Sequence, residues 1–138
     1  MHISSTGIVL FAHGSRDPGW RTPIEAVRTE IERSRPGAQV RCAYLELCEP
    51  TLAQAVQSLL AEGVHSLSVV PMFLGTGRHA REDLPLLIAA LQAEHAGLPI
   101  ALQRAVGEDP RLTALMAQIA FGESLELGDT VPGSVQTE

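Results

Sequence analysis

Four short apolar runs alternate with segments of helical periodicity along the first 120 residues. The first and third runs are almost continuously apolar, which is typical of strands covered on both faces. Because each run is followed by a helical segment, the pattern predicts parallel strands joined by right-handed crossovers. It therefore predicts a single small doubly wound α/β sandwich, with a four-stranded, mainly parallel sheet and helices on both faces. The predicted strands are Gly7–Ala12, Val40–Leu45, Ser66–Phe73 and Pro99–Ala105.

Residues typical of helix ends bound the intervening segments. Thr22 is a candidate N-cap, with Pro23 at the first helical position and Glu25 completing a capping box. The second helix has Pro50 near its start and Gly63 just past its end. Two further helical segments are predicted, one over residues 81–97 and one that begins at residues 109–110.

The periodic pattern ends at Ala120. Residues 121–138 contain acidic residues but no Lys or Arg, and they lack helical periodicity. This composition predicts a flexible acidic C-terminal tail. A chain of 138 residues has room for one core, so the predicted domain spans residues 1–120.

The composition limits which classes of partner and which cellular compartment are expected for this chain. The balance of 45% apolar and 19% charged residues is that of a globular protein, and the net charge of −6 argues against nucleic acid as a partner. The N-terminal apolar run is too short for a signal peptide or a membrane span. Cys42 and Cys48 do not form a CxxC pair and suit free thiols. We expect a cytoplasmic protein with no membrane partner.

One chemically useful residue follows each of the first three predicted strands. These residues are His13, Glu46 and His79, and neighbouring members are separated by 33 positions. In a doubly wound sheet, ligands bind outside the carboxyl ends of the strands. Each strand–helix unit is therefore expected to deliver one side chain to the same edge of the sheet.

Two imidazoles and a carboxylate suit a borderline divalent metal such as Co²⁺, Ni²⁺, Fe²⁺ or Zn²⁺, and they also suit proton transfer near neutral pH. Nearby glycines would let a ligand approach the backbone, and nearby arginines would bind substrate carboxylates despite the acidic total. The glycines are Gly14, Gly75 and Gly77, and the arginines are Arg16, Arg78 and Arg81.

Each of these residues also has a purely structural interpretation. A single histidine after a strand is most often a turn or capping residue, and Glu49 is as good a candidate by type as Glu46. Arg78 and Arg81 suit a solvated first helical turn, although cations there oppose the helix dipole. Asp83 lies four residues after His79 and would either orient its imidazole or interact with the helix dipole. Only the expected convergence of three residues favours a functional site.

Four stretches of the chain stand out as a set: LFAHGSRDP, AYLELCEPTLAQAV, PMFLGTGRHAREDLP and GEDPRL. Together they resemble the small sirohydrochlorin chelatases, which form the cobaltochelatase/ferrochelatase family of class II chelatases. The similarity runs from about Gly7 to Ala120, and the HGSR and FL-x-x-G-x-H-x-x-x-D-L-P motifs together carry its specificity. It implies a chelatase-like, flavodoxin-like fold and, for a chain of this length, a homodimer with the tetrapyrrole cleft between facing subunits.

The resemblance implies insertion of a divalent metal into sirohydrochlorin, in cobalamin or sirohaem biosynthesis. The metal is a substrate, Co²⁺ or Fe²⁺ with Ni²⁺ as a further candidate, and no organic cofactor is expected. His13 and His79 are then the metal-holding and proton-accepting pair, and Glu46 completes the site or passes protons to solvent. The implied macrocycle-binding residues are Ser15, Arg16, Gly75, Thr76 and Gly77.

Two other functions stay open at this point. A metal or tetrapyrrole carrier would use the same residues without turnover. A phosphatase-type hydrolase is suggested by AHGSR after a strand, but Ala12 occupies the position at which histidine phosphatases carry an arginine. The hydrolase is the more remote of the two alternatives.

Overall fold

A computed structural model describes residues 5–123 and contains one four-stranded sheet. All three strand pairings are parallel, and the strand order is β2-β1-β3-β4. The predicted doubly wound α/β fold is thereby confirmed. The strands are β1 Thr6–Ala12, β2 Gln39–Tyr44, β3 Ser66–Pro71 and β4 Ile100–Leu102.

Within residues 5–123, four α-helices and two short 3-10 helices connect or follow these strands. The α-helices are α1 Thr22–Ser34, α2 Leu52–Ala61, α3 Arg78–Glu94 and α4 Pro110–Phe121. The 3-10 helices span Pro18–Arg21 and Val106–Glu108.

The start of α1 differs from the prediction. A 3-10 helix runs directly into α1, so Thr22 is already helical (φ −52°, ψ −47°), and its N–H donates to the Gly19 carbonyl. The capping role passes to Asp17, whose side chain accepts a hydrogen bond from the Gly19 N–H. The predicted Thr22 cap and its capping box with Glu25 are therefore wrong, and Pro23 is the second helical residue.

Alternating residues of β1 supply the two hydrophobic cores. Val9 and Phe11 pack on one face of the sheet with α2 and α3, whereas Leu10 and Ala12 pack on the other face with α1. This two-residue alternation follows from the pleat of a strand. Both faces of the central strand are covered, which explains why its sequence is apolar almost throughout.

The fourth strand is shorter than the predicted segment Pro99–Ala105. Regular pairing with β3 ends at Leu102, although the Gln103 N–H still donates to the Val69 carbonyl at 2.9 Å. The chain then turns inward at the buried Ala105 and enters the second 3-10 helix.

Helix α4 has no buried residue. Its apolar side chains Leu115, Ile119 and Phe121 are exposed in the described part of the chain. The helix ends one residue past the predicted domain end, and residues 124–138 of the predicted tail lie outside the described residues. Within residues 5–123, no helix has the length and apolar character that a membrane crossing requires.

Candidate functional site

The strand order defines a crevice between the carboxyl ends of β1 and β3. The chain leaves β1 toward β2 on one side and leaves β3 toward β4 on the other. Ligands of doubly wound sheets bind where the order switches in this way. His13 directly follows β1, while His79 lies in the first turn of α3 after the β3–α3 loop, and both side chains are exposed.

His13 and Glu46 are held together by their backbones. The parallel ladder of β1 and β2 continues past both strands, because the Leu45 N–H donates to the Ala12 carbonyl at 2.9 Å and the Glu46 N–H donates to the His13 carbonyl at 3.0 Å. Glu46 is exposed and follows β2. These two residues therefore lie next to each other because backbone hydrogen bonds join the ends of β1 and β2.

Gly14 serves this contact between loops. A Cβ atom at Gly14 would lie 1.8 Å from the Glu46 carbonyl oxygen, and the residue has φ +105°. Only glycine fits a position that combines this conformation with so close an approach. The structure thus gives Gly14 a structural role, the close approach of the Glu46 carbonyl, and the approach of a ligand to its backbone stays a prediction.

The imidazole of His13 stacks on the ring of Phe73. Their centroids are 4.3 Å apart and their planes meet at 23°. Phe73 is buried and belongs to the core that α2 and α3 cover. This contact joins the end of β1 to the β3–α3 loop. Sequence reasoning missed Phe73, although the residue stands directly before LGTGRH in the motif that carried the resemblance.

His79 is held less firmly than His13. Helix α3 begins at Arg78 after Gly77, and Gly77 provides no side-chain cap. In the described part of the chain the His79 imidazole makes no hydrogen bond, so the predicted orienting bond from Asp83 is absent. Arg78 pairs instead with Glu82 at 3.2 Å in an exposed ion pair.

The remaining predicted substrate-binding residues are spread along both loops. The Ser15 hydroxyl accepts a hydrogen bond from the Asp17 N–H at 3.1 Å, so it stabilises its own turn. Arg16 is exposed and Thr76 is half-buried. A Cβ at Gly75 would meet nothing within 4 Å, and the same is true of Gly77.

Exposed leucines lie in the loops that follow β2 and β3, and they were not predicted. Leu45 and Leu47 lie in the β2–α2 loop and are 42% and 52% exposed, whereas Leu74 follows Phe73 and is 69% exposed. Leu47 also has φ +69°. This conformation is costly for a non-glycine residue, and such strained residues are enriched at functional sites. The loops therefore present an apolar surface beside a histidine.

Within residues 5–123, no group of three or more His, Cys, Asp or Glu side chains is arranged to hold a metal ion. The chain brings His13 and Glu46 together through their backbones, but no contact within residues 5–123 joins His79 to either residue. His13 and His79 stay predicted metal ligands.

The sequence model of the CbiX family matches residues 7–121. The chain belongs to the CbiX family. The match begins at the second residue of β1 and ends at the last residue of α4. It therefore includes every residue of the site described above, and the family expected from the sequence is confirmed.

Curated relatives are named sirohydrochlorin cobaltochelatase. The relative from Methanopyrus kandleri is 37% identical over 59% of this chain, and the match spans only 57% of its own length. The relative from Methanosarcina barkeri is 26% identical over 80% of this chain and 90% of its own length.

Solved structures share the fold. A putative cobalamin biosynthesis CbiX protein from Marinobacter aquaeolei superposes with a TM-score of 0.74 at 38% identity, over 84% of this chain and 94% of the other. SirB from Bacillus subtilis with Fe³⁺ gives a TM-score of 0.70 at 23% identity, over 82% of this chain but 45% of SirB. At that identity the likeness to SirB shows the fold alone.

Proposed function

We propose that this chain inserts a divalent metal ion, Co²⁺ or Fe²⁺ with Ni²⁺ as a further candidate, into a sirohydrochlorin-type tetrapyrrole. The observation that carries the proposal is a histidine stacked on Phe73 at the carboxyl end of β1, with exposed leucines in the two neighbouring loops. Membership of the CbiX family and the names of the relatives support the same reaction. The metal is a substrate, and no organic cofactor takes part.

In this proposal two pyrrolic N–H protons leave the ring as the metal enters. His13 and His79 hold the incoming ion as neutral imidazoles, because a protonated imidazole has no free lone pair for a metal. The same two groups then accept the ring protons, and Glu46 passes them to solvent. An open set of protein ligands suits this reaction, since a closed cage would retain the ion.

The flat macrocycle and its carboxylates make different demands on the site. Leu45, Leu47 and Leu74 would contact the apolar ring face. The guanidinium groups of Arg16 and Arg81 are exposed and make no ion pair within residues 5–123, so they are available to peripheral carboxylates. Arg78 can contribute in the same way only by leaving Glu82. Ser15, Gly75, Thr76 and Gly77 would line the same cleft.

We further propose a cytoplasmic homodimer that encloses the tetrapyrrole between two copies of the chain. The exposed side chains of Leu115, Ile119 and Phe121 on α4 support a self-association surface. Replacement of Ile119 by Glu should convert the dimer into monomers in light scattering, whereas a wild-type protein that is monomeric at micromolar concentration would contradict the proposal.

Metal insertion is tested by the change in the absorption spectrum of sirohydrochlorin with each metal. The wild-type protein should exceed the metal-only control, and His13→Ala and His79→Ala should each lower kcat about 100-fold, the scale of a lost proton-transfer group. His65→Ala is the control, because His65 is exposed and lies at the opposite end of the sheet, before β3. Stoichiometric binding without turnover would identify a carrier instead.

A further inference from the structure

We propose that Phe73 is a positioning residue for His13, and that Gly107 holds Phe73 in place by docking the GEDPRL segment under the β3–α3 loop. The proposal rests on the proposed metal insertion, in which His13 must present a ring nitrogen to the ion. It gives the GEDPRL segment a structural role, which is to support the β3–α3 loop. This segment carried part of the resemblance but has no role in the site described so far.

The orientation of the His13 imidazole depends on Phe73. Metal-binding histidines usually donate their second ring nitrogen to a carboxylate or carbonyl, which fixes the ring. Within residues 5–123 the His13 imidazole has no such hydrogen bond, and its described ring contact is the stacked one at 4.3 Å. A flat, buried neighbour restricts rotation about the Cβ–Cγ bond of the exposed histidine, because other rotamers would leave the stack.

The backbone of Phe73 is in turn held by the second 3-10 helix, Val106–Glu108. The Gly107 N–H donates to the Phe73 carbonyl at 2.9 Å. A Cβ at Gly107 would lie 1.7 Å from the Leu74 carbonyl oxygen and 2.5 Å from the Leu74 Cα. Because these are backbone atoms, a side chain at position 107 must displace the loop that carries Phe73.

Phe73→Leu tests the first step, because it keeps an apolar side chain in the core but removes the flat ring. A displacement of catalytic geometry on the order of 1 Å can lower a rate about 100-fold. We expect kcat to fall about 10- to 100-fold while KM for sirohydrochlorin changes less than threefold. Phe11→Leu is the matched control, since Phe11 is buried in the same core cluster and lies within β1. It should lower stability similarly and leave kcat within about threefold.

Gly107→Ala tests the second step without changing any aromatic ring. It should lower kcat in the same direction as Phe73→Leu, and the two changes together should cost little more than the larger one alone. Gly19→Ala is its control, because a Cβ there would come no closer than 3.4 Å to its nearest neighbour. Full activity of both Phe73→Leu and Gly107→Ala would overturn the proposal.

Imidazole NMR of the metal-free protein supplies a readout that does not need turnover. The ring current of Phe73 should shift the His13 ring protons upfield, and both variants should move these signals downfield. In Phe73→Leu the His79 signals should stay in place. Unchanged His13 signals in Phe73→Leu would also overturn the proposal. If the wild-type protein inserts no metal, the proposed function fails, but the NMR result still decides whether Phe73 orients His13.

Discussion

The two sides of the crevice are built differently. On the β1–β2 side, backbone hydrogen bonds tie His13 to Glu46, and Gly14 leaves no space between the two loops. On the β3–α3 side, Gly75 and Gly77 face open space, and His79 lies in an exposed first helical turn. One candidate metal ligand is thus fixed by the sheet, whereas the other depends on a loop with few contacts.

This difference suits a reaction in which a large planar substrate must enter and leave. A preorganised group lowers the cost of reaching the reactive geometry, while a loosely held loop lets the macrocycle pass. The stacking of His13 on Phe73 marks the boundary between the two sides, because Phe73 is the last buried residue before the open loop.

The largest expected effect comes from Gly14→Ala. The new Cβ would meet the Glu46 carbonyl, and φ +105° is unfavourable for alanine. Such backbone strain alone costs about 1–3 kcal/mol, so the free energy of unfolding should fall by at least this amount in urea denaturation. Metal insertion should fall as well, since His13 and Glu46 would separate.

Gly75→Ala is the matched change on the open side. Nothing lies within 4 Å of its Cβ position, so the free energy of unfolding should stay within about 0.5 kcal/mol of the wild-type value, as for other surface substitutions. Equal losses in the two variants would contradict the contrast between the fixed and the open side.

Thr51→Ala should have the next largest effect on stability. The Thr51 hydroxyl accepts from the Gln54 N–H at 3.2 Å, and the Gln54 side chain accepts from the Thr51 N–H at 2.8 Å. Loss of such a cap typically costs about 1 kcal/mol. Thr29→Ala within α1 is the control, because the Thr29 hydroxyl only donates to the Glu25 carbonyl of its own helix. Thermal unfolding that shifts alike for both variants would show that the capping box adds nothing.

The regular parts of this fold were readable from sequence, because strand and helix periodicities are local. The start of α3 was not. The sequence predicted that this helix begins at residue 81, whereas it begins at Arg78. The prediction missed the start because Gly77, the residue before the helix, has no side chain that could mark a cap. Likewise, the sequence suggested Thr22 as an N-cap, but the 3-10 helix before it makes Thr22 a helical residue instead.

The positions of the candidate site residues were easier to predict from the sequence than the contacts that fix them. His13 and Glu46 lie where the crossover pattern indicates, but the atoms that fix them come from distant segments. Gly14 meets a carbonyl 32 residues later, and His13 stacks on a ring 60 residues later. The hydrophobic periodicity of a sequence carries no information about such distant pairs. The roles of Gly14 and Phe73 could therefore be recognised only in the folded structure.

Leu47→Asn is expected to raise stability, whereas the variants above lower it or leave it unchanged. Asparagine tolerates the positive φ of this position better than leucine does, so relief of strain should raise the free energy of unfolding by up to about 1 kcal/mol. The same change removes an exposed apolar side chain from the crevice, so KM for sirohydrochlorin should rise. Urea denaturation and steady-state kinetics test both effects. A KM equal to that of the wild-type protein would remove Leu47 from the proposed ring contact.

The smallest effect at neutral pH is expected for Tyr44→Phe on the fixed side. The Tyr44 hydroxyl is buried without a hydrogen-bond partner among the described residues, so its removal should hardly change the free energy of unfolding at pH 7. Burial, aided by the nearby Cys42 thiol, raises the pKa of Tyr44 to about 12, whereas an unfolded tyrosine titrates near pH 10.

The folded state therefore keeps this proton where the unfolded state has lost it. Because the unfolded tyrosine ionises first, this group leaves the free energy of unfolding unchanged below about pH 10 and lowers it as the pH rises toward 12. Urea denaturation at pH 7, 10 and 11 should show a smaller alkaline loss in Tyr44→Phe than in the wild-type protein. A loss above about 1 kcal/mol at pH 7 would instead indicate that the hydroxyl has a partner, and that the end of β2 is held by more than the backbone ladder.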